Sequence, residues 1–222
     1  MKQTAVRASY ESVDLGETAG PAPNRRALSK MRTRQKVLAA ARALFNERGY
    51  DSATVRDIAR SAGMSTGAVF ANFADKSDLF EAIEMEDFDR LAEAMREAAS
   101  GPHKEVEAKL LDILSCGYVY YAETLPLAQA IVAQSWLRPL NAELRARNVL
   151  KVLLGIIGDA LREAARRGEI RQDFDVRLVS EMLWGAYLAN FRRAIFDGWN
   201  LETLRARLAD QVSLMLAGLR QG

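Results

Sequence analysis

A single cysteine, Cys116, and a single histidine, His103, stand in 222 residues. One cysteine excludes an intrachain disulfide and cannot build a cysteine cluster for zinc. One histidine argues against a histidine-based metal centre and a His-dependent catalytic triad. No apolar run approaches the roughly 20 residues that a membrane-spanning helix needs. The N-terminus carries no apolar stretch of the secretory kind, so a cytoplasmic address without a membrane partner is expected. No nucleophile elbow, phosphate loop or metal-ligand cluster is spelled out, so neither an enzyme nor a bound cofactor is expected. The acids Glu84, Glu86, Asp87 and Asp89 are too dense to be distinctive and read as a solvated helix face.

What remains is 49% hydrophobic and 27% charged, the balance of an ordinary globular protein. The net charge of +2 is unevenly spread. Residues 1–80 carry 13 Lys plus Arg against 8 Asp plus Glu, whereas the remainder is slightly acidic. A basic front suggests that only this part meets a polyanion.

Residues 1–27 show no helical period and contain Gly16, Gly20, Pro21 and Pro23, as a flexible tail would. The basic run Arg25–Lys36 is placed to brush phosphates or simply to sit in water. From Arg32 the pattern turns helical: Val37, Ala40, Ala41, Leu44 and Phe45 form one stripe, and Gly49 caps its end. A second helix opens at Thr54, with Asp57 three residues on in a capping-box arrangement. It stops at Ala62-Gly63-Met64, and a short third helix follows over Ser65–Ala71. Asp75 caps the next helix, about Lys76–Ala99. Further helices are expected over about 104–123, 126–137, 142–167, 175–196 and 201–219, with no strand and no solenoid repeat. The fold class is therefore all-α: a three-helix head over 28–80 and a helical bundle over 81–222.

Two short helices joined by a glycine-containing turn make a helix-turn-helix. In this motif the first helix braces against the DNA backbone and the second enters the major groove, about 12 Å wide, with its N-terminal residues at base edges. Ser65, Thr66, Gly67 and Ala68 are small enough for that approach, and Val69 and Phe73 are spaced to anchor the helix from behind.

These residues also resemble a known family. Thr54–Ala59, then Ala62–Phe73, then Asp75–Leu79 look like the DNA-binding domain of TetR-type regulators, and the likeness runs without a gap over about Thr33–Ile83. Gly168-Glu169-Ile170-Arg171, with Asp175, Leu183, Trp184 and Gly185, resembles the stretch leading into that family's dimerisation helices. The resemblance implies operator contacts from Thr54, Arg56, Ser65, Thr66, Gly67, Ala68 and Lys76. Arg56 is the one able to take guanine O6 and N7 together. Lys76, at a helix N-terminus, is suited to a phosphate. Where the family usually has a phosphate-bonding tyrosine this chain has Phe70, which keeps the ring and loses the donor; Asn72 is a possible substitute.

The resemblance further implies a pocket whose small, largely apolar or aromatic occupant releases the DNA. Candidates for its lining are Met85, Phe88, Cys116, Tyr120, Gln134, Trp136, Arg138, Trp184 and Tyr187, each with a plain core role as the alternative. Arg138, beside Trp136 and before Pro139, is suited to clamp a carboxylate or to sit at a wet rim. His103 reads as an exposed loop residue and Cys116 as a small buried hydrophobe. A homodimer is expected through the last two helices, by way of Trp184, Tyr187, Leu188, Phe191, Leu208, Val212 and Met215. A helical adaptor that binds protein through its aromatic C-terminal surface, and an activator of the same fold, are the alternatives to a repressor.

Overall fold

A computed structural model describes residues 25–220, and these form helices joined by short turns, with no strand among them. The head comprises α1 (Arg25–Arg48), α2 (Val55–Ser61) and α3 (Thr66–Phe70). The long α4 (Lys76–Ser100) leads out of it into α5 (Val106–Tyr121), α6 (Leu125–Ser135), α7 (Leu140–Arg166), α8 (Val176–Phe196) and α9 (Leu201–Ala217). The tail expected over 1–27 lies outside the described residues up to 24, and 25–27 already belong to α1. No Gly or Pro interrupts 25–48, so the helix starts seven residues before Arg32, with this first stretch exposed on every side.

Local chemistry sets the head's turns. Gly49 and Gly63 adopt φ of 78° and 65°, left-handed values that a Cβ would penalise. The Thr54 Oγ1 accepts from the Asp57 backbone N–H at 3.2 Å and donates to Asp57 Oδ2 at 2.6 Å, closing the capping box that opens α2. Ser65 caps α3 through the Ala68 N–H, and Asp75 caps α4 through Asp78 N–H. Val37, Ala41, Phe45, Ile58, Val69, Phe73 and Leu79 form the buried centre of the head. The rings of Phe45, Tyr50 and Phe80 close its lower edge, with centroids 4.7–5.6 Å apart.

Phe80 and Ile83 still belong to the head's core, while Leu91 and Met95 of the same helix are buried among α5 and α7. The boundary expected at 80/81 thus falls inside α4, and the two parts share one rigid element. A second tie joins them where the Asn46 Nδ2 of α1 donates to the Glu123 carbonyl ahead of α6.

In the larger part α5 is central, with Leu110, Ile113, Leu114 and Tyr118 almost fully buried. Tyr118 stacks on Tyr187 of α8 at 4.9 Å and donates to the Tyr187 carbonyl; it accepts from Asn190, which also donates to Gln211 of α9. Gly117 makes the approach possible, since a Cβ there would lie 2.0 Å from the Tyr187 Oη.

Candidate DNA-reading head and ligand cavity

The exposed side of α3 presents Thr66, Gly67 and Phe70, while Val69 and Phe73 hold its other side in the core. A Cβ at Gly67 would meet only the Ser65 Oγ, at 3.8 Å, so nothing in the protein itself requires glycine there. The Phe70 ring is 53% exposed, an apolar surface where a donor would otherwise sit. Asn72 turns inward: its Nδ2 donates to the Ala68 carbonyl, and its backbone carbonyl accepts from Arg34. Arg56 stands exposed at the start of α2, and no ion pair engages it among the described residues.

Lys76 is half-buried. Its Nζ donates to the Tyr50 and Asp51 carbonyls at 2.9 and 3.3 Å and lies 4.3 Å from the Tyr50 ring centroid. Two of its three N–H donors therefore tether the α1–α2 loop, leaving one for an outside anion.

Behind the head, α4, α6, α7 and α8 border a cavity of about 1040 Å³ that is partly open to solvent, with Trp136 and Phe196 exposed at its edge. Five of the expected lining residues, Phe88, Trp136, Arg138, Trp184 and Tyr187, surround it. Tyr120 and Gln134 do not, nor do Met85 and Cys116. Tyr120 lies on the side of α5 that faces α4, donating to Asp87 Oδ1 at 2.8 Å and accepting from Arg90. Gln134 falls on the far side of the short helix α6. Leu91, Tyr121, Ile131, Leu150 and Phe191 line the wall without having been marked by the sequence, because isolated apolar residues carry no local sign of which faces converge.

Two of the four acids expected on a solvated face of α4 overturn that expectation, while Asp89 is exposed and Glu86 half-buried. Glu84 is 3% and Asp87 0% exposed. Arg138 reaches Glu84 through Nη2, 2.5 Å from Oε1, and Arg42 of α1 pairs with Asp87. Neither arginine is near its partner in sequence, so local spacing gave no warning. Burial pushes both carboxyls up from their ordinary range, against the pull of the arginines. Arg138 is accordingly no wet rim residue; its side chain is 10% exposed within an internal ion pair. His103 likewise departs from expectation: its side chain is largely covered, with Nε2 3.2 Å from Asp112 Oδ2. Cys116 is half-buried against the core rather than fully buried, and desolvation pushes its thiol up to about 11.

The expected dimer residues also sort differently. Trp184, Tyr187, Phe191, Leu208 and Val212 are buried within the protomer, which leaves them no outward face, while Leu188 and Met215 are half-buried. Both helices carry apolar residues on two sides, and periodicity alone could not say which side turns inward. The outward stripe of α8 is Leu178, Met182, Gly185, Ala189 and Phe196, the last three of which also line the cavity, with Leu214 exposed on α9.

Residues 37–83 match the family model described as bacterial regulatory proteins, tetR family, and residues 85–211 match that of the YsiA-like protein C-terminal region. The chain belongs to the TetR family. Its members are DNA-binding transcription regulators and not enzymes. This TetR-family chain is 32% identical over 152 residues to the fatty acid metabolism regulator protein of Bacillus subtilis, covering 68% of this chain and 77% of that one. It is 28% identical over 151 residues to the transcriptional regulator UidR of Escherichia coli K12, covering 68% and 76% respectively. The crystal structure of the regulator FadR from Bacillus subtilis in complex with stearoyl-CoA superposes with a TM-score of 0.69 at 26% identity, over 84% of this chain and 99% of that one. No helix of the described residues is long and apolar enough to cross a membrane.

Proposed function

We propose that this regulator is a repressor that binds a palindromic operator as a homodimer and lets go when an elongated, largely apolar molecule fills the cavity behind the head. The observation that carries this reading is α4, which contributes Leu79, Phe80 and Ile83 to the core of the head and Glu84, Phe88 and Leu91 to the cavity wall. A ligand that changes the tilt of such a helix moves the DNA-reading surface with it. Linkage then requires the ligand to favour the DNA-incompetent state, by about 1.4 kcal/mol for a tenfold release.

On this reading Arg56 reads a base, and Thr66 and the free N–H of Lys76 hold phosphates. Ser65 and Thr54 act chiefly as caps that fix the helices, and Gly67, Ala68 and Phe70 give close or apolar approach to the groove. The basic first half of α1 adds sequence-independent attraction. The two protomers join through the outward stripe of α8 and Leu214 of α9. A fatty-acyl ligand is supported by the size and apolar lining of the cavity, at the upper end of the roughly 300–1,000 Å³ usual for ligand sites. Similarity to a relative crystallised with stearoyl-CoA supports the same class.

The test is a mobility-shift titration of the full protein on its own promoter region, with and without stearoyl-CoA, at several salt concentrations. Tight, salt-sensitive binding that weakens with stearoyl-CoA is expected. Binding that ignores DNA sequence would refute the operator reading, and binding indifferent to stearoyl-CoA would refute the acyl ligand.

A further inference from the structure

Most of the cavity wall is apolar, and of the charged groups that line it Glu84 and Arg138 are paired with each other and almost shut off from water. Burying two charges costs several kcal/mol per ion before their attraction is counted, so such a pair contributes little net stability compared with apolar side chains of similar size. It does form a replaceable contact. Arg138 lies on the segment between α6 and α7, Glu84 on α4, and both line the space that a ligand would occupy.

Resting on the cavity's role as the ligand site, we infer that it also takes an acyl chain ending in a free acid group, which a thioester lacks, that this group takes Arg138 from Glu84, and that Glu84 then takes up a proton from solvent. The balance is simple. The guanidinium keeps its charge throughout and exchanges one carboxylate partner for another; the displaced Glu84 oxygen gains one proton. A carboxylate left ionised and unpaired in this wall would be expensive, and protonation is the cheaper outcome.

The surroundings favour uptake. On its own helix Glu84 faces the carboxylates of Glu81 and Asp87, which disfavour a negative charge. Tyr121 of α5 offers a neutral ring whose own hydroxyl is held protonated by burial. Glu143 and Arg147 of α7 line the same cavity and bond to each other, and Tyr187 of α8 is neutral. Arg42 is committed to Asp87, and Arg145 to Glu81. Arg192 of α8 also lines the cavity, but Arg138 is the cation that bonds Glu84. The exchange has Glu84 charged while it is paired with Arg138 and protonated once the ligand has taken that partner. Between those two conditions ligand affinity falls as pH rises, approaching tenfold per pH unit for one proton taken up.

The experiment is calorimetry of the full-length protein with dodecanoate and, as a neutral probe of the same chain length, dodecanol. Each is titrated in two buffers of different ionisation heat, so that protons are counted directly. Dodecanoate is expected to bind with close to one proton taken up, and dodecanol with none. Glu84→Gln, a neutral mimic of the protonated side chain, should bind dodecanoate at least tenfold more tightly, without proton uptake and without the pH dependence. The double variant Glu84→Gln/Arg138→Met leaves no unpaired charge behind, so it remains folded, and it should lose the preference for acid over alcohol. Proton-free binding of dodecanoate to the parent protein, or unchanged affinity in Glu84→Gln, overturns the inference. If dodecanol binds and releases DNA while dodecanoate gains nothing from its acid group, the exchange at Arg138 is wrong and the ligand cavity stands. If neither binds, the inference falls, and the titration with stearoyl-CoA decides the acyl reading separately.

Discussion

Gly67 has no packing duty inside the protein: the space its Cβ would enter is open. Gly67→Ala should therefore leave the melting temperature unchanged or raise stability by up to about 1 kcal/mol, as alanine does in a helix. Operator affinity should fall, because the added methyl meets DNA. Thermal melts and operator titrations on the same sample check both halves; a loss of stability would show that the glycine serves the fold. Arg56 and Lys76 differ in kind. Arg56 is exposed and engages no ion-pair partner among the described residues, so Arg56→Ala should spare stability and alter base preference, by about 1–3 kcal/mol at one position if the contact is bidentate. Lys76→Ala removes the tether to Tyr50 and Asp51 and, in the proposed operator complex, a phosphate contact. It should lower stability, weaken binding to all sequences alike and reduce the salt slope by roughly one phosphate. An intact slope with changed base preference would exchange the two roles.

At the scale of elements, α4 acts as a beam held at two points along one side. Arg42 pins its Asp87 to α1, and Arg138 pins its Glu84 to the α6–α7 segment. Arg42→Met strands a buried carboxylate and is expected to destabilise by about 3–5 kcal/mol, whereas Arg42→Met/Asp87→Asn should recover much of that loss. The sign of the pH effect follows from burial. A carboxyl raised in the folded state binds protons more readily than in the unfolded chain. Its contribution to stability is therefore fully present below the ordinary carboxylate range and is lost as pH climbs through the raised value. Without Arg42 the window extends further upward, so the stability gap between Arg42→Met and the parent should narrow as pH is lowered. Chemical denaturation at several pH values reads this directly, and a gap that widened on acidification would contradict the burial argument.

For the whole molecule, the interface decides whether two heads can hold two half-sites. Tyr187 and Phe191 are core residues, and charged substitutions there should unfold the bundle before they reveal anything about assembly. Met182→Glu and Leu214→Glu place the charge on the outward stripe, where both residues are about half or more exposed. The double variant is expected to keep its helical signal, to run as a monomer in light scattering and to lose most of its operator affinity. A dimer of unchanged mass would move the interface to another face, such as the exposed Leu140 and Leu144 of α7.

The order and extent of the helices were legible in the chain because caps, glycine stops and 3.6-residue stripes are local. Thr54 with Asp57, Gly63 and Asp75 each announced an element edge within a few residues of sequence. The small residues of α3 were equally legible, since their meaning comes from position within one short motif. What the sequence left open was which side of a helix faces in. In α8 and α9 apolar residues wrap both sides, and only the packing of α5 against them, with Gly117 admitting the Tyr187 ring, turned Tyr187 and Phe191 inward and left Met182 outside. The buried acids were invisible for a related reason. A carboxylate's environment is set by whatever the fold brings to it, and the arginines that neutralise Glu84 and Asp87 lie 54 and 45 residues away along the chain. The sequence by itself determined the elements and their edges through short-range hydrogen bonding and periodicity; the cavity, its internal ion pair and the outward apolar stripe of α8 were decided by tertiary structure, because burial and long-range pairing exist only once the helices have packed.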